Sequence, residues 1–318
     1  MKAVTYQGHK NMEVREVHDP IIEESTDAII KITASGICGS DLHLYHQGDL
    51  FMDPGFVIGH EPMGIVEEVG KDVKTLKKGD RVVIPFNIGC GDCFYCNNEM
   101  ESQCDNSNSS PASWKMDNGG LFGFGGMHGN HWGGQAEYLR VPFADFSSFK
   151  VPDSDLKDEQ VLFLSDVVPT AYWSVEHAGV KSGDTVIVLG CGPIGLMAQK
   201  FAKLKGAERV IAIDNVEHRL NHAKKSNGAE VYNFSKEDNI GKLLRESTRG
   251  GADVVIDCVG MDGQVAQDDL EISSNSAQRG NISPIITAAE SVRKFGTIQL
   301  TGIYGTPCLL YTSDAADE

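Results

Sequence analysis

The stretch from Asp184 to Gly206 most constrains what this chain can fold into. Asp184-Thr185-Val186-Ile187-Val188-Leu189 reads as a buried strand, since an aliphatic, β-branched run suits a strand covered on both faces. Gly190-Cys191-Gly192-Pro193-Ile194-Gly195 follows, then an apolar-periodic helix over 196–204 that stops at Gly206. This is G-x-G-x-x-G in the strand–turn–helix setting that gives the pattern meaning. Gly190 allows the tight turn, Gly192 lets a pyrophosphate approach the backbone, and Gly195 lets helix and strand pack closely. A second strand, Arg209-Val210-Ile211-Ala212-Ile213, ends in Asp214, where a carboxylate can accept both ribose hydroxyls and repel a 2′-phosphate. NAD is therefore expected over NADP, although Asp214 could also simply cap the next helix. The cofactor-binding candidates are Gly190, Gly192, Pro193, Ile194, Gly195, Asp214 and Arg219.

The alternation continues. Helices are expected over 216–226, 240–248 and 285–294, and strands over 230–232, 253–257 and 297–301. Repeated βα units imply a parallel, doubly wound α/β sheet with right-handed crossovers and strand order 3-2-1-4-5. Cys191 and Cys258 fall within this part and read as packing residues.

The first half has another texture. Ala28-Ile29-Ile30-Lys31-Ile32-Thr33, Gly64 to Gly70 and Gly79 to Pro85 are short segments closed by Gly and Pro, which favours a β-rich barrel or sandwich. The domain boundary is expected near Val151-Pro152, giving domains over 1–150 and 151–307. Residues 105–135 read as a long loop in which Trp114, Phe122, Phe124 and Trp132 line a pocket or a subunit contact.

Two metal-type clusters lie in this half. Cys90-Gly91-Asp92-Cys93-Phe94-Tyr95-Cys96, with Cys104, gives C-x2-C-x2-C-x7-C in a lobe over 88–106. Four thiolates complete a tetrahedral Zn²⁺ shell with no open position, so the site is structural. An iron–sulfur cluster also uses x2 spacings, but no Pro follows the fourth Cys and no second cluster motif exists. Upstream, Cys38-Gly39-Ser40-Asp41-Leu42-His43 and Gly59-His60-Glu61 supply a thiolate, an imidazole and a carboxylate from loops turned by Gly36, Gly39 and Gly59. Ser40 and His43 are placed to form a proton path away from the metal, and Asp41 to fix the His60 tautomer. Either fragment alone would equally suit a buried Cys beside surface polar residues. Asp166, at the start of a helical stretch over 162–173, reads by itself as a helix N-terminal acid.

Composition narrows the partners. A net charge of −17 argues against nucleic acid, which needs basic surface. No apolar run approaches membrane-spanning length and Met1-Lys2-Ala3-Val4 leads into a strand rather than a signal peptide, so a cytoplasmic protein with no membrane partner is expected. Half of the 8 cysteines fall in one cluster, unlike a disulfide framework.

With these motifs together, residues 1–307 resemble the zinc-containing medium-chain alcohol dehydrogenases, and most nearly the glutathione-independent formaldehyde dehydrogenase branch. The carriers are the Cys38–His43 and Gly59–Glu61 loops, the four-Cys lobe, Gly133-Gly134-Gln135-Ala136-Glu137-Tyr138 and Leu164-Ser165-Asp166. The resemblance implies a GroES-like catalytic domain and a Rossmann domain, with two zinc ions and NAD per subunit. Cys38, His60 and Asp166 would hold the catalytic zinc with Glu61 as alternate ligand, and Thr170 would pack on the nicotinamide. The implied reaction is hydride transfer between a small alcohol or aldehyde and NAD, with the proton leaving through Ser40 and the ribose toward His43. A formaldehyde-type dehydrogenase or dismutase with NAD held through turnover is the runner-up. A non-catalytic NAD(H)-binding regulator would keep the glycines but lose the metal ligands. Family members carry a sixth strand and a returning C-terminal segment and form dimers or tetramers. Here 308–318 resemble translated sequencing adapter, so truncation near Pro307, an exposed sheet edge and poor solubility are expected.

Overall fold

The computed structural model describes residues 1–47, 52–109, 117–260 and 282–304. The expectations for Trp114, for most of the polar stretch 261–282 and for the tail 308–318 fall outside them. The chain divides into two compact units, Met1–Asp166 and the part beginning at Val167.

In the first unit, strands Ala28–Ser35, Pro62–Val69, Arg81–Val83, Tyr138–Val141 and Phe149–Lys150 form one five-stranded sheet. Its pairings are antiparallel, so short loops suffice to connect neighbours. One face buries Ala28, Ile30, Val66, Val82, Ile84, Leu139 and Val141 together with Ile88 and Phe122. A separate hairpin pairs Lys2–Gly8 with Asn11–Glu16. The segment following Val151-Pro152 belongs to this unit by packing, because Val161 and Leu162 bury against Met63 and Val83.

In the second unit, the parallel strands stand in the order Glu230–Asn233, Arg209–Asp214, Thr185–Leu189, Ala252–Asp257, Val292–Leu300. This is the expected 3-2-1-4-5. Alternation along each strand splits the core in two. Val186, Val188, Val210, Ala212, Val254 and Ile256 pack under helices Val167–His177, Pro193–Leu204 and Glu217–Asn227. Ile187, Leu189, Ile211, Ile213 and Val255 pack under Ile240–Ser247 and Ser283–Ser291. Burial on both faces is what an aliphatic parallel strand requires.

Three expectations need correction. The last strand begins at Val292 and its helix ends at Ser291; the pairing is irregular before Thr297, where Phe295 has a left-handed φ of 57°. Ser40, Asp41 and His43 lie on a helix, Gly39–Gln47, whose first turn Gly39 opens, and not on a loop. Phe122, expected at a pocket or subunit contact, is fully buried in the sheet core.

Candidate functional site

Two groups of side chains converge in the first unit. In the first, the sulfurs of Cys90, Cys93, Cys96 and Cys104 all lie within 4.8 Å of one another, with Cys90–Cys96 and Cys93–Cys104 separations of 4.0 Å. A tetrahedral ion with metal–sulfur bonds of about 2.3 Å needs edges of roughly 3.8 Å, so the cage suits one zinc rather than a polynuclear cluster. Backbone N–H groups of Asp92 and Cys93 point at Cys90 Sγ, that of Cys96 at Cys93 Sγ and that of Cys90 at Cys104 Sγ, at 3.3–3.5 Å. The Cys96 amide and its neighbours draw the Cys93 thiol down to about 6, while burial pushes the Cys96 thiol up to about 12. Four convergent thiols without a cation cannot all ionise; a bound Zn²⁺ removes that conflict.

The second group is Cys38, His60, Glu61 and Asp166, again with one ligand atom each inside 4.8 Å. His60, Glu61 and Asp166 are buried. Cys38 immediately precedes the helix Gly39–Gln47, and His60 follows Gly59, whose φ of 100° makes the turn. Asp166 follows the 3-10 turn Leu162–Ser165 and immediately precedes the helix Val167–His177, the helix N-terminal place expected for it. A Cβ on Gly36 would come 2.0 Å from Glu61 Oε2, which explains the glycine there. Burial opposes charge on the His60 imidazole, yet Asp166 Oδ2 at 3.5 Å, with Asp41 and the Cys38 sulfur, raises its pKa to about 12. Burial, reinforced by Asp166, raises the Glu61 carboxyl above its usual range. Two buried carboxylates and a thiol around one imidazole form a cage that demands positive charge, and N, S and O donors in this mixture fit Zn²⁺.

Supporting groups surround this cage. Asp41 accepts the Cys38 backbone N–H at 2.8 Å through Oδ2, while Oδ1 stands 3.6 Å from His60 Nδ1. Ser40 Oγ is 3.8 Å from Cys38 Sγ, and His43 lies one helical turn further along Gly39–Gln47. The ring of Phe124 covers His60 at 4.9 Å between centroids, and Phe86 meets it edge-on at 6.2 Å. Phe124 therefore does line the site, whereas Trp132 packs on His18. Sequence reasoning missed Phe86 and any role for Gln135, which bonds to Asp41; neither belongs to a ligand spacing.

In the second unit, Gly190 takes a φ of 91° and a Cβ on Gly195 would lie 2.0 Å from Gly190 O, so both glycines are demanded by the fold. Gly192, which caps the helix Pro193–Leu204, is different: a Cβ there would meet nothing within 4 Å. The open space at a helix N-terminus is the cradle a pyrophosphate needs. Asp214 is 6% exposed and accepts backbone N–H bonds from Cys191, Asn215 and Val216, all at 2.8 Å. Arg219 is exposed on the following helix, and Thr170 stands in the first turn of Val167–His177.

The fold and these sites define a zinc-binding oxidoreductase with a nucleotide-binding sheet. Residues 24–153 match the alcohol dehydrogenase GroES-like domain and residues 193–278 the zinc-binding dehydrogenase domain. An uncharacterised zinc-type alcohol dehydrogenase-like protein of Bacillus subtilis is 57% identical over 306 residues, covering 96% of this chain and 80% of that protein. The glutathione-independent formaldehyde dehydrogenase of the same organism is 35% identical, covering 98% of this chain and 76% of that protein. Among solved structures, alcohol dehydrogenase TADH from Thermus sp. ATN1 superposes with a TM-score of 0.80 at 35% identity, over 98% of this chain and 80% of that one. A putative zinc-binding dehydrogenase from Sinorhizobium meliloti 1021, bound to NADP, matches at 28% identity and a TM-score of 0.74, over 98% of this chain and 79% of that one. The chain belongs to the zinc-containing medium-chain alcohol dehydrogenase family, enzymes that pair zinc with a nicotinamide cofactor. Among the described residues, no helix is long and apolar enough to cross a membrane.

Proposed function

We propose that this enzyme transfers hydride between a small alcohol or aldehyde and NAD at the cage formed by Cys38, His60 and Asp166, with Glu61 as alternate ligand. The convergence of those four ligand atoms within 4.8 Å carries the reading. Bound there, Zn²⁺ supplies Lewis acidity toward a substrate oxygen, and the nicotinamide ring supplies the hydride acceptor or donor. The chain's own residues do the rest. One thiolate and one carboxylate with a neutral imidazole balance the ion's two charges. Ser40 takes the substrate proton and passes it toward His43, one turn away on the same helix face. Phe86 and Phe124 wall the His60 side with apolar surface, which excludes water and favours small substrates. Asp214 favours NAD, because a 2′-phosphate would meet a buried carboxylate already fixed by the backbone.

The test is a panel of short alcohols and aldehydes with NAD and with NADP, run alongside a zinc count. Two zincs per chain and turnover with NAD are expected; turnover only with NADP, or zinc only at the four cysteines, would sink the proposal. Formaldehyde belongs in the panel, and a tightly retained NAD in the isolated protein would favour formaldehyde-type chemistry of the kind named for the relative described above.

A further inference from the structure

We infer that Gln135 is a positioning residue that braces the Cys38–His60 pair through Asp41. Its Nε2 donates to two acceptors, the Gly36 carbonyl and Asp41 Oδ2, each at 3.2 Å. Asp41 is 4% exposed, and the same Oδ2 also accepts the Cys38 N–H at 2.8 Å. With one carboxylate oxygen held by two donors, the other is left facing His60 Nδ1 at 3.6 Å, and no hydrogen bond from any described residue reaches it. The amide of Gln135 and the Cys38 N–H thus together set which way the Asp41 carboxylate turns, with its other oxygen toward the His60 ring.

The backbone delivers Gln135 there with little latitude. Gln135 N donates to Ile58 O at 3.0 Å and Gly134 N to Gly59 O at 2.8 Å, which lays residues 133–135 against the turn that carries His60. No side chain fits at the two preceding positions: a Cβ on Gly133 would lie 2.2 Å from Gly59 O, and one on Gly134 2.3 Å from Pro62 Cβ. A Cβ on Gly59 would in turn strike Gln135 Cγ at 2.4 Å. Three segments far apart in sequence are therefore clamped at one side chain. An amide suits the place because its single nitrogen carries two hydrogens, one for each acceptor, and it brings no charge to the buried carboxylate and imidazole.

This inference rests on the zinc reading given above, and the experiment separates the two. Zinc content and the rate of zinc loss to a chelator are measured for the wild type, Gln135→Met and Gln135→Glu, and the visible spectrum is recorded after cobalt exchange. The methionine keeps the length without a donor; the glutamate keeps the shape and adds a charge. One zinc should leave Gln135→Met about tenfold faster than wild type, and faster still from Gln135→Glu, in keeping with the roughly 10–100-fold cost of removing groups that support metal ligands. The zinc of the four cysteines should leave at the wild-type rate, and the cobalt spectrum should change only in the band of the faster site. Wild-type rates and spectra in both variants would overturn the brace while leaving the metal site standing. Should the methionine variant fail to fold, the glutamate variant decides by the same readings. A wild type holding only one zinc would overturn the metal reading itself.

Discussion

Cys38 and Cys93 are the same side chain in two cages of different composition. Cys38 shares its cage with an imidazole and two carboxylates, so Cys38→Ser should leave Tm close to wild type and lower kcat/KM by about a hundredfold or more. Cys93 belongs to a closed four-sulfur shell whose metal contributes folding free energy, and Cys93→Ser should lower Tm by roughly 10 °C while the remaining folded enzyme turns over normally. Calorimetry and steady-state kinetics on the two variants check both; lost turnover with unchanged Tm in Cys93→Ser would reverse the roles. Under the function proposed above, Asp214 combines two tasks. Its carboxylate holds three backbone N–H groups, one of them in the glycine turn, and a serine could satisfy at most a part of them. Asp214→Ser should therefore weaken NAD by roughly 1–3 kcal/mol in kcat/KM without producing an enzyme that prefers NADP, because the turn loosens as the charge leaves. Kinetics with both cofactors test this, and a clean switch to NADP with unchanged Tm would show that the backbone bonds carry no weight.

At the scale of elements, the glycine turn offers a sharper contrast than any single contact. A Cβ at residue 195 collides with Gly190 O, whereas one at residue 192 meets only open space. Gly195→Ala should thus cost stability and cofactor together. Gly192→Ala should leave Tm unchanged or slightly higher, since the unfolded chain loses freedom, yet weaken dinucleotide binding by about tenfold. Calorimetric titration with NAD beside thermal melts distinguishes the two; equal destabilisation by both would remove the cradle. The parallel sheet is legible in the sequence because its strands are aliphatic runs between helices of regular period, and their order follows from the crossover rules. The last strand is misjudged because Phe295 and Gly296, its fourth and fifth residues, interrupt the pattern. Within the site, Cys38, His60 and the four cysteines can be read from spacing, but Asp166 needs the family resemblance. Phe86 and Gln135 meet their partners only through long-range folding, which no local pattern encodes.

At the scale of the whole molecule, charge sets the response to acid. A hydrogen bond from Thr33, with the Arg81 guanidinium and against partial burial, holds the Asp158 carboxyl below its usual range. Depressed in the folded state, this group contributes stability above its unfolded pKa and loses it as pH falls. The contribution should be complete at pH 7 and fade below about pH 4, where the unfolded carboxylate begins to take up protons. In Asp158→Asn, the Tm difference from wild type should shrink as pH is lowered through that window; a constant difference would remove Asp158 from the account. The two metal cages also differ in how far along the chain their ligands are spread. The four sulfurs come from residues 90 to 104, a loop short enough to close while the rest of the protein is still being made. The other cage waits for Asp166, which the ribosome adds last of its four ligands, several seconds after Cys104 at roughly 5–20 residues per second. On the function proposed above, the ligands of the fastening metal are thus all in the chain before those of the working one. Protein made under zinc limitation should hold the first metal and lack the second, an outcome that a zinc count of about one per chain together with absent turnover would show.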